Sequence, residues 1–279
     1  MIADVIKSPA VTPAAANALG DPLDHISPSR LKQFLSCRLK FFFEKVLGLK
    51  APVSPALHVG KAVHAGLEAF HKAAWRGQDH SADTVVAQYL MGYEALEAEG
   101  PVDYEDADER AKCLADGERV LRAYLASDYA RDAASATGVE VALHSADIGL
   151  PIPLVGVIDL VRPGNVPVDF KTTASTPAVD QEAWQHLIQL TAYGMLLRDA
   201  TGEEPGRAQV VYLVKLAKQP KIIVQQMPEI TRAEEDRFRA LVDIYVQAVD
   251  RGEYYPSVGM ACGWCKFRSE CAKWVGKAA

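Results

Sequence analysis

The chain has 279 residues, of which 49% are hydrophobic, and its formal net charge is −6. This length and composition predict one large domain with a sizeable core, and the acidic balance excludes a protein that binds nucleic acid through overall positive charge. No apolar run approaches the roughly 18 residues that span a bilayer, and the N-terminus lacks the continuous apolar stretch of a signal peptide, so we expect a cytoplasmic protein without membrane contact.

The first part of the chain is predicted to be helical. Residues 1–25 read as a flexible N-terminal tail. Ser27 is typical of an N-cap and Pro28 of the first helical position, which predicts a helix that runs to about Leu47. Three further helices are predicted at 55–75, 81–98 and 106–134.

Strands follow the helical part and alternate with two more helices. Strands are predicted within 138–150, 152–161 and 166–172, and then at 208–215 and 220–227. Helices are predicted at 178–199 and 231–250. Helices that precede and flank such strands, with a mixed sheet, predict an α/β or an α+β fold.

One tight turn is predicted to bring two aspartates together. The run Arg-Pro-Gly-Asn at 162–165 is a strong turn signal, and a turn centred on Gly164 places Asp159 opposite Asp169. Like charges directly opposed in a sheet destabilise it. Strand alternation places Lys171 on the same face, where its amine would offset the repulsion, and a divalent cation would do so better. A solvated charged face without function is the alternative.

The cysteines predict a second metal site. Cys262, Cys265 and Cys271 form the pattern Cys-x2-Cys-x5-Cys, and Cys37 lies far upstream. Closely spaced thiols in a reducing compartment indicate metal binding rather than disulfides. Four thiolates suit either Zn²⁺ or a [4Fe–4S] cluster, and the spacing does not decide between them. The fifth cysteine, Cys113, is expected to pack without a ligand.

Two strand segments resemble motifs of a known superfamily. Gly156-x-x-Asp159, followed by Asp-Phe-Lys-Thr at 169–172, resembles motifs II and III of the PD-(D/E)XK nucleases in their RecB-like branch. This chain departs from the typical pattern in having Phe170 where Tyr is usual, and it lacks the proline before Asp159. The resemblance implies a restriction-endonuclease-like fold, with a helical N-terminal part and a C-terminal Cys-rich segment.

Three further stretches are similar to the same branch. The run 58–68 resembles motif I, a helical histidine, here His64, preceded by glycine. Gln189 and Tyr193 resemble its Gln-x-x-x-Tyr motif. The four cysteines 37, 262, 265 and 271 resemble the iron–sulfur signature of the AddB nuclease domain and the CRISPR-adaptation nucleases. The resemblance favours [4Fe–4S] over zinc.

The resemblance also implies a domain organisation. It predicts a single RecB-like nuclease domain at 26–279. Within it, 76–136 would form a helical insertion or arch, and 251–274 would join Cys37 in a metal-cluster subdomain.

The resemblance assigns the active-site residues. It implies that His64, Asp159, Asp169 and the backbone carbonyl of Phe170 bind Mg²⁺ or Mn²⁺, a suitable set of ligands for these ions. Lys171 would orient or activate the attacking water and stabilise charge on the phosphate.

Neighbouring residues receive supporting roles. Gln189 and Tyr193 would lie beside the active site and contact the DNA backbone, although a packed tyrosine and a buried glutamine are the alternative. Glu68 is expected to support His64, one helical turn away. Glu140 precedes the hairpin and is interpreted as a charge at a strand edge.

The expected function follows from the resemblance. It is a metal-dependent DNase, an exonuclease on single-stranded DNA or DNA ends, in recombination, repair, phage replication or CRISPR adaptation. Basic residues beside aromatic rings near the cysteines suit single strands. No Walker A motif is present, so a helicase or recombination partner would supply unwinding. The alternative is a non-catalytic nucleic-acid-binding scaffold with a structural metal cluster.

Overall fold

A computed structural model of the protein describes residues 20–276, apart from the side chains of residues 179–183. Most of the predicted tail, residues 1–19, lies outside the described residues. The first part is helical, as predicted, with α1 (Pro28–Ser36), α2 (Arg38–Phe41), α3 (Pro55–Trp75), α4 (Ala82–Glu99), α5 (Ala107–Leu125) and α6 (Asp128–Arg131).

The second part contributes a five-stranded sheet and three helices. The strands are β1 (Gly138–Ser145), β2 (Leu154–Arg162), β3 (Val166–Thr173), β4 (Gln209–Val214) and β5 (Lys221–Gln226). The helices are α7 (Val179–Thr201), α8 (Arg232–Asp250) and α9 (Arg268–Lys273). The strand order is β1-β2-β3-β4-β5. Only β3 and β4 pair in parallel, across the α7 crossover, so the predicted mixed α/β sheet is confirmed.

The first helix begins where the sequence predicts and ends early. The Ser27 hydroxyl accepts a hydrogen bond from the Arg30 backbone N–H at 3.2 Å, which satisfies one free donor of α1. At Cys37 the backbone is extended (φ −160°, ψ 110°), and α2 and a π-helical turn at 42–46 follow. The predicted continuous helix to Leu47 is therefore broken at Cys37.

The sheet is covered on both faces. On one face, apolar residues of α3 such as Val63 and Leu67 pack against Val168 and Phe170 of β3. On the other face, residues of α7 pack against Ile158, Val210 and Tyr212. A third cluster joins α1, α2 and α8 through aromatic rings. Within the described residues, no helix is long and apolar enough to cross a bilayer.

Candidate active site

The hairpin between β2 and β3 has the predicted register. Leu160 pairs with Val168 and Arg162 with Val166, and Gly164 lies in the turn with φ 81°. The same register places Asp159 opposite Asp169, but the paired ladder ends one residue before them. Both aspartates therefore lie where the two strands separate.

The Asp159 side chain replaces a backbone hydrogen bond where the β2–β3 ladder ends. Its Oδ2 accepts a hydrogen bond from the Phe170 backbone N–H at 2.8 Å. Its Oδ1 lies 3.6 Å from His64 Nδ1 on α3. Burial raises the pKa of Asp159, but His64 and the Phe170 N–H outweigh this and lower it. The carboxylate is therefore held ionised between α3 and β3.

Asp169 is buried against α7. It is 1% exposed, and its Oδ1 accepts a hydrogen bond from Gln189 Nε2 of α7 at 2.7 Å. Its Oδ2 forms an ion pair with Lys171 Nζ at 2.6 Å. Burial raises the pKa of Asp169; Lys171 opposes the shift, and the charge of Asp159 adds to it.

The arrangement differs from strict alternation along β2. Alternation predicted that Asp159 shares a face with Asp169 and Lys171. Instead Ile158 packs with the α7 side and Leu160 with the α3 side, so the alternation is interrupted at Asp159. Asp159 contacts His64 of α3 and Asp169 contacts Gln189 of α7, and the charge of Asp159 raises the pKa of Asp169.

A hydrogen-bond chain links Lys171 to α7. Lys171 Nζ lies 3.5 Å from Gln189 Oε1, and Gln189 Nε2 also donates to the Tyr193 hydroxyl at 2.8 Å. Tyr193 is 5% exposed, and burial followed by the charge of Asp169 raises its pKa, so the hydroxyl stays neutral. The structure thus brings Asp169, Lys171, Gln189 and Tyr193 into one contact network.

Close packing against α7 explains why the Gly-x-x-Asp run begins with a glycine, Gly156. A Cβ atom at Gly156 would lie 2.9 Å from Leu196 Cδ1 and 3.3 Å from Tyr193 Cε1. A side chain there would force α7 away from β2. Because Gln189 and Tyr193 are carried by α7, the glycine allows both to approach the aspartates closely.

His64 and Glu68 lie along one cleft but do not contact each other. Burial lowers the pKa of His64, but the Asp159 carboxylate overcomes this and raises it. The Glu68 carboxylate is ion-paired with Lys72 instead. Within the described residues, no hydrogen bond or ion pair joins Glu68 to His64. The supporting role of Glu68 stays a prediction.

The cleft has a volume of about 840 Å³ and opens beside this network. His64, Asp159 and Lys171 line one part of it. Small and apolar residues of α4 line the facing part, namely Gly92, Ala95 and Leu96. The catalytic candidates therefore lie at the side of an open groove between α3, α4 and the sheet.

Glu140 was interpreted as a strand-edge charge, and the structure places it in this cleft. Its neighbours in β1 pair with Leu160 and Ile158, so Glu140 lies opposite Asp159. Its φ of 49° is uncommon for a residue with a side chain. Burial, then the charges of Asp159 and Glu68, raise its pKa to about 7. Glu140 is a third acid beside the two aspartates.

The raised pKa of Glu140 predicts a pH dependence of stability without metal. A carboxyl with pKa about 7 in the folded state, against an ordinary value of 4.5, binds more protons folded than unfolded between these values. The free energy of unfolding should therefore fall as pH rises from about 4.5 to 7. Replacement by glutamine (Glu140→Gln) should flatten this fall in the melting temperature, measured in EDTA. An unchanged pH profile would contradict the assignment.

The four predicted cluster cysteines are free thiols, and Cys37 lies at the break between α1 and α2. Burial raises the pKa of Cys271, and the thiols of Cys37, Cys265 and Cys262 raise it further. Such electrostatic influence acts over longer distances than ligation requires.

No metal cage is formed by side chains alone. Among residues 20–276, no group of three or more His, Cys, Asp and Glu side chains is arranged to hold a metal ion. This applies to the cysteines and to His64 with the two aspartates. The iron–sulfur cluster is thus not established by the structure.

Aromatic packing joins the cysteine segment to the N-terminal helices. Phe43 contacts Phe267 with ring centroids 5.8 Å apart, and Phe42 stacks on Tyr254 at 4.7 Å. The Arg38 guanidinium lies 4.8 Å from the Tyr255 ring centroid. These contacts hold the C-terminal segment against the helices on either side of Cys37.

Comparisons with known proteins agree with the fold. A family model of the PD-(D/E)XK nuclease superfamily matches residues 25–272. No curated protein matches the chain significantly. A crystal structure described as a putative exonuclease from Eubacterium rectale is similar, with TM-score 0.62 and 18% identity, over 98% of this chain and 96% of that chain. A structure of SSO0001 has TM-score 0.36 and 16% identity, over 85% and 95% of the two chains.

Proposed function

The chain belongs to the PD-(D/E)XK nuclease superfamily, and from this membership we propose that it is a divalent-metal-dependent DNase. It hydrolyses phosphodiester bonds as an exonuclease, on single-stranded DNA or on DNA ends. The observation that carries the proposal is the ion pair between the buried Asp169 and the partly exposed Lys171, which lies beside Asp159 at the end of the β2–β3 ladder.

The donor set suits a hard divalent cation. Asp169 is 1% exposed, and burying a carboxylate is costly unless a cation compensates it. In the structure the Lys171 ammonium supplies that positive charge. Asp159, His64 and the Phe170 carbonyl would complete the site for Mg²⁺ or Mn²⁺. When bound, such an ion lowers the pKa of a water and offsets charge on the phosphate.

The protein's own groups position the substrate and the attacking water. Lys171 lies between the buried carboxylate and the cleft, so its ammonium can hold a phosphate oxygen and stabilise the charge that develops there. Gln189 fixes Asp169 through one hydrogen bond and contacts Lys171 through the other end of its amide. Tyr193, as a neutral hydroxyl, orients Gln189.

The cleft supports a single strand as substrate. Helix α4 forms one wall, and its small residues Gly92 and Ala95 leave room for a chain without a partner strand. The segment 76–136 would act as an arch over this groove, which favours free ends over internal sites. The Eubacterium rectale neighbour, described as a putative exonuclease, is consistent with this choice.

A [4Fe–4S] cluster held by the four cysteines 37, 262, 265 and 271 completes the proposal. Its support is the spacing of the cysteines in the sequence and the ring packing that brings the turn at 42–46 to the C-terminal segment. The cluster would be structural, because it would close a long loop of chain and restrict the unfolded state.

The proposal is tested with end-labelled linear, circular and duplex DNA in the presence of Mn²⁺ or Mg²⁺. Linear single strands should be degraded to short products, and circular single strands should persist because they offer no end. Cleavage of the circle at the same rate would replace the exonuclease with an endonuclease. No cleavage of any substrate would favour a non-catalytic scaffold.

A further inference from the structure

The cleft beside the candidate catalytic residues carries large aliphatic side chains that stay in contact with water. Leu57 of α3 is 54% exposed, and Val157 of β2 is 47% exposed. Leu96 of α4 lines the same cleft and is partly buried. Exposed apolar groups gathered in a groove are typical of a ligand-binding surface. We call Leu57, Leu96 and Val157 the aliphatic wall.

The aliphatic wall lies where α3 begins and α4 ends. A β-bridge joins Val53, before α3, to Val102, after α4. The Asp103 backbone N–H also donates a hydrogen bond to the Val53 carbonyl at 2.9 Å. These contacts hold the first turn of α3 beside the last turn of α4, so Leu57 and Leu96 line the cleft from its two helical sides.

The sheet brings the aliphatic wall next to Lys171. Helix α3 packs closely on β3, since a Cβ atom at Gly60 would lie 3.1 Å from Thr172 Oγ1. Gly60 lies about one helical turn after Leu57, and Thr172 follows Lys171 directly. The hairpin register, continued past the paired ladder, places Val157 opposite Lys171. The wall therefore begins beside the ammonium group that is proposed to hold a phosphate oxygen.

The charges of the cleft favour one orientation of a bound strand. Lys61, about one turn after Leu57, and Lys171 both line the cleft and attract phosphate. Glu99 lines it on the α4 side, close to Leu96 in the chain, and repels phosphate. A strand would therefore turn its phosphates to the lysines and its uncharged bases to the aliphatic wall. The other acids of the lining lie toward His64 and the candidate metal site: Glu68, Glu140 and Asp159.

We propose that the aliphatic wall contacts the nucleobases of the DNA strand beside the cleaved bond, while Lys61 and Lys171 hold its phosphates. The inference rests on the proposed nuclease function. Aliphatic groups neither donate nor accept hydrogen bonds, so the contact carries no preference for one base over another. The bases of a duplex are paired and stacked inside the helix, so the wall selects a single strand over a duplex.

The test is single-turnover cleavage of end-labelled strands that lack one base at successive positions and keep every phosphate. The enzyme concentration for half-maximal rate and the maximal rate are measured separately, with Mn²⁺. Leu57→Ala should raise the half-saturating concentration for the intact strand about 5-fold, the effect of removing a partly buried aliphatic contact. Removal of the base beside the cleaved bond should cost the wild type a similar factor. The same removal should cost Leu57→Ala nothing further, because the contact is already lost.

The salt dependence separates the aliphatic wall from the lysines. Lys61→Ala should lower the slope of log affinity against log salt by about 0.7, the value for one phosphate contact on a single strand. Leu57→Ala should leave this slope unchanged, because an apolar contact releases no counter-ions. A lower slope in Leu57→Ala would contradict the assignment of this side to the bases.

Matched variants control for folding and for the loss of apolar surface. Ile244→Ala removes an aliphatic side chain that is 45% exposed on α8, outside the cleft, and should cleave like the wild type. Leu57→Met should retain wild-type saturation. Melting temperatures verify that each variant is folded. If Leu57→Ala is misfolded, Val157→Thr carries the test, since it keeps the size and branching of valine and should raise the half-saturating concentration about 3-fold.

Three results would overturn the aliphatic wall while the nuclease proposal stands. The first is wild-type saturation in both Leu57→Ala and Val157→Thr. The second is a loss in Leu57→Ala that is equally large on the intact strand and on every abasic strand. The third is an equal loss on duplex DNA. Failure of the unmodified protein to cleave any DNA would overturn both proposals.

Discussion

Replacing Asp169 with asparagine is expected to lower the rate of DNA cleavage by about 10³-fold or more, equivalent to about 4 kcal/mol of transition-state stabilisation. The carboxylate charge is the reason. The amide would keep a similar shape but could no longer hold a divalent cation or pair with the Lys171 ammonium. Single-turnover cleavage of a linear single strand, with saturating Mn²⁺, measures the loss.

The same substitution should not lower stability by a comparable amount. Asp169 is buried, and burial raises its pKa although the Lys171 ammonium opposes the shift, so the ionised carboxylate is costly in the wild-type fold. The melting temperature of Asp169→Asn in EDTA should equal or exceed that of the wild type. Lys171→Ala should be equally inactive yet less stable, because it leaves the buried carboxylate unpaired.

A surface substitution controls for the loss of charge. Asp147→Asn removes one carboxylate from an exposed loop and should cleave at the wild-type rate. Activity near wild type in both Asp169→Asn and Lys171→Ala would reveal a contaminating nuclease or a misassigned site, and the functional proposal would be withdrawn.

Loss of a cluster cysteine is expected to have the second large effect. Protein purified without oxygen should be brown and contain iron and sulfide. Cys37→Ala should lose the iron and lower the free energy of unfolding by about 4 kcal/mol, as the chain-entropy argument gives for a clip across a long loop. Cys113→Ala is the control, because Cys113 only packs against the α3–α5 core.

Metal analysis decides among the outcomes. Stoichiometric zinc without iron would replace the iron–sulfur cluster with a zinc site. No metal, together with an unchanged melting temperature in Cys37→Ala, would leave the segment held by rings such as Phe43 and Phe267 alone. Because the cluster is proposed to be structural, reconstituted protein should cleave DNA with unchanged metal dependence.

The hairpin was predictable because its determinants are local. The Arg-Pro-Gly-Asn turn and the period-two pattern of apolar residues fix which residues face each other, and the observed pairs agree. The mixed sheet followed from the order of predicted elements for the same reason. The break of the first helix at Cys37 was not predictable, because the extended backbone there coincides with packing against Tyr255 and Tyr254, far along the chain.

The candidate site residues likewise divide into those predictable from local sequence and those whose position depends on distant contacts. Asp159, Asp169 and Lys171 are recognisable from a contiguous motif. Glu140 was interpreted only as a strand-edge charge, because its place opposite Asp159 depends on the register of β1 across a long connection.

The amino-acid sequence by itself determined most of the secondary structure, the hairpin register and the motif residues Asp159 and Asp169, since neighbouring side chains and turn chemistry govern these. Only the tertiary structure decided that Asp159 contacts α3, that Gln189 of α7 holds Asp169, and that Glu140 lies in the cleft. The physical reason is that these contacts join segments distant in sequence. Their burial and charge exist only once α1, α3 and α7 have packed on the sheet.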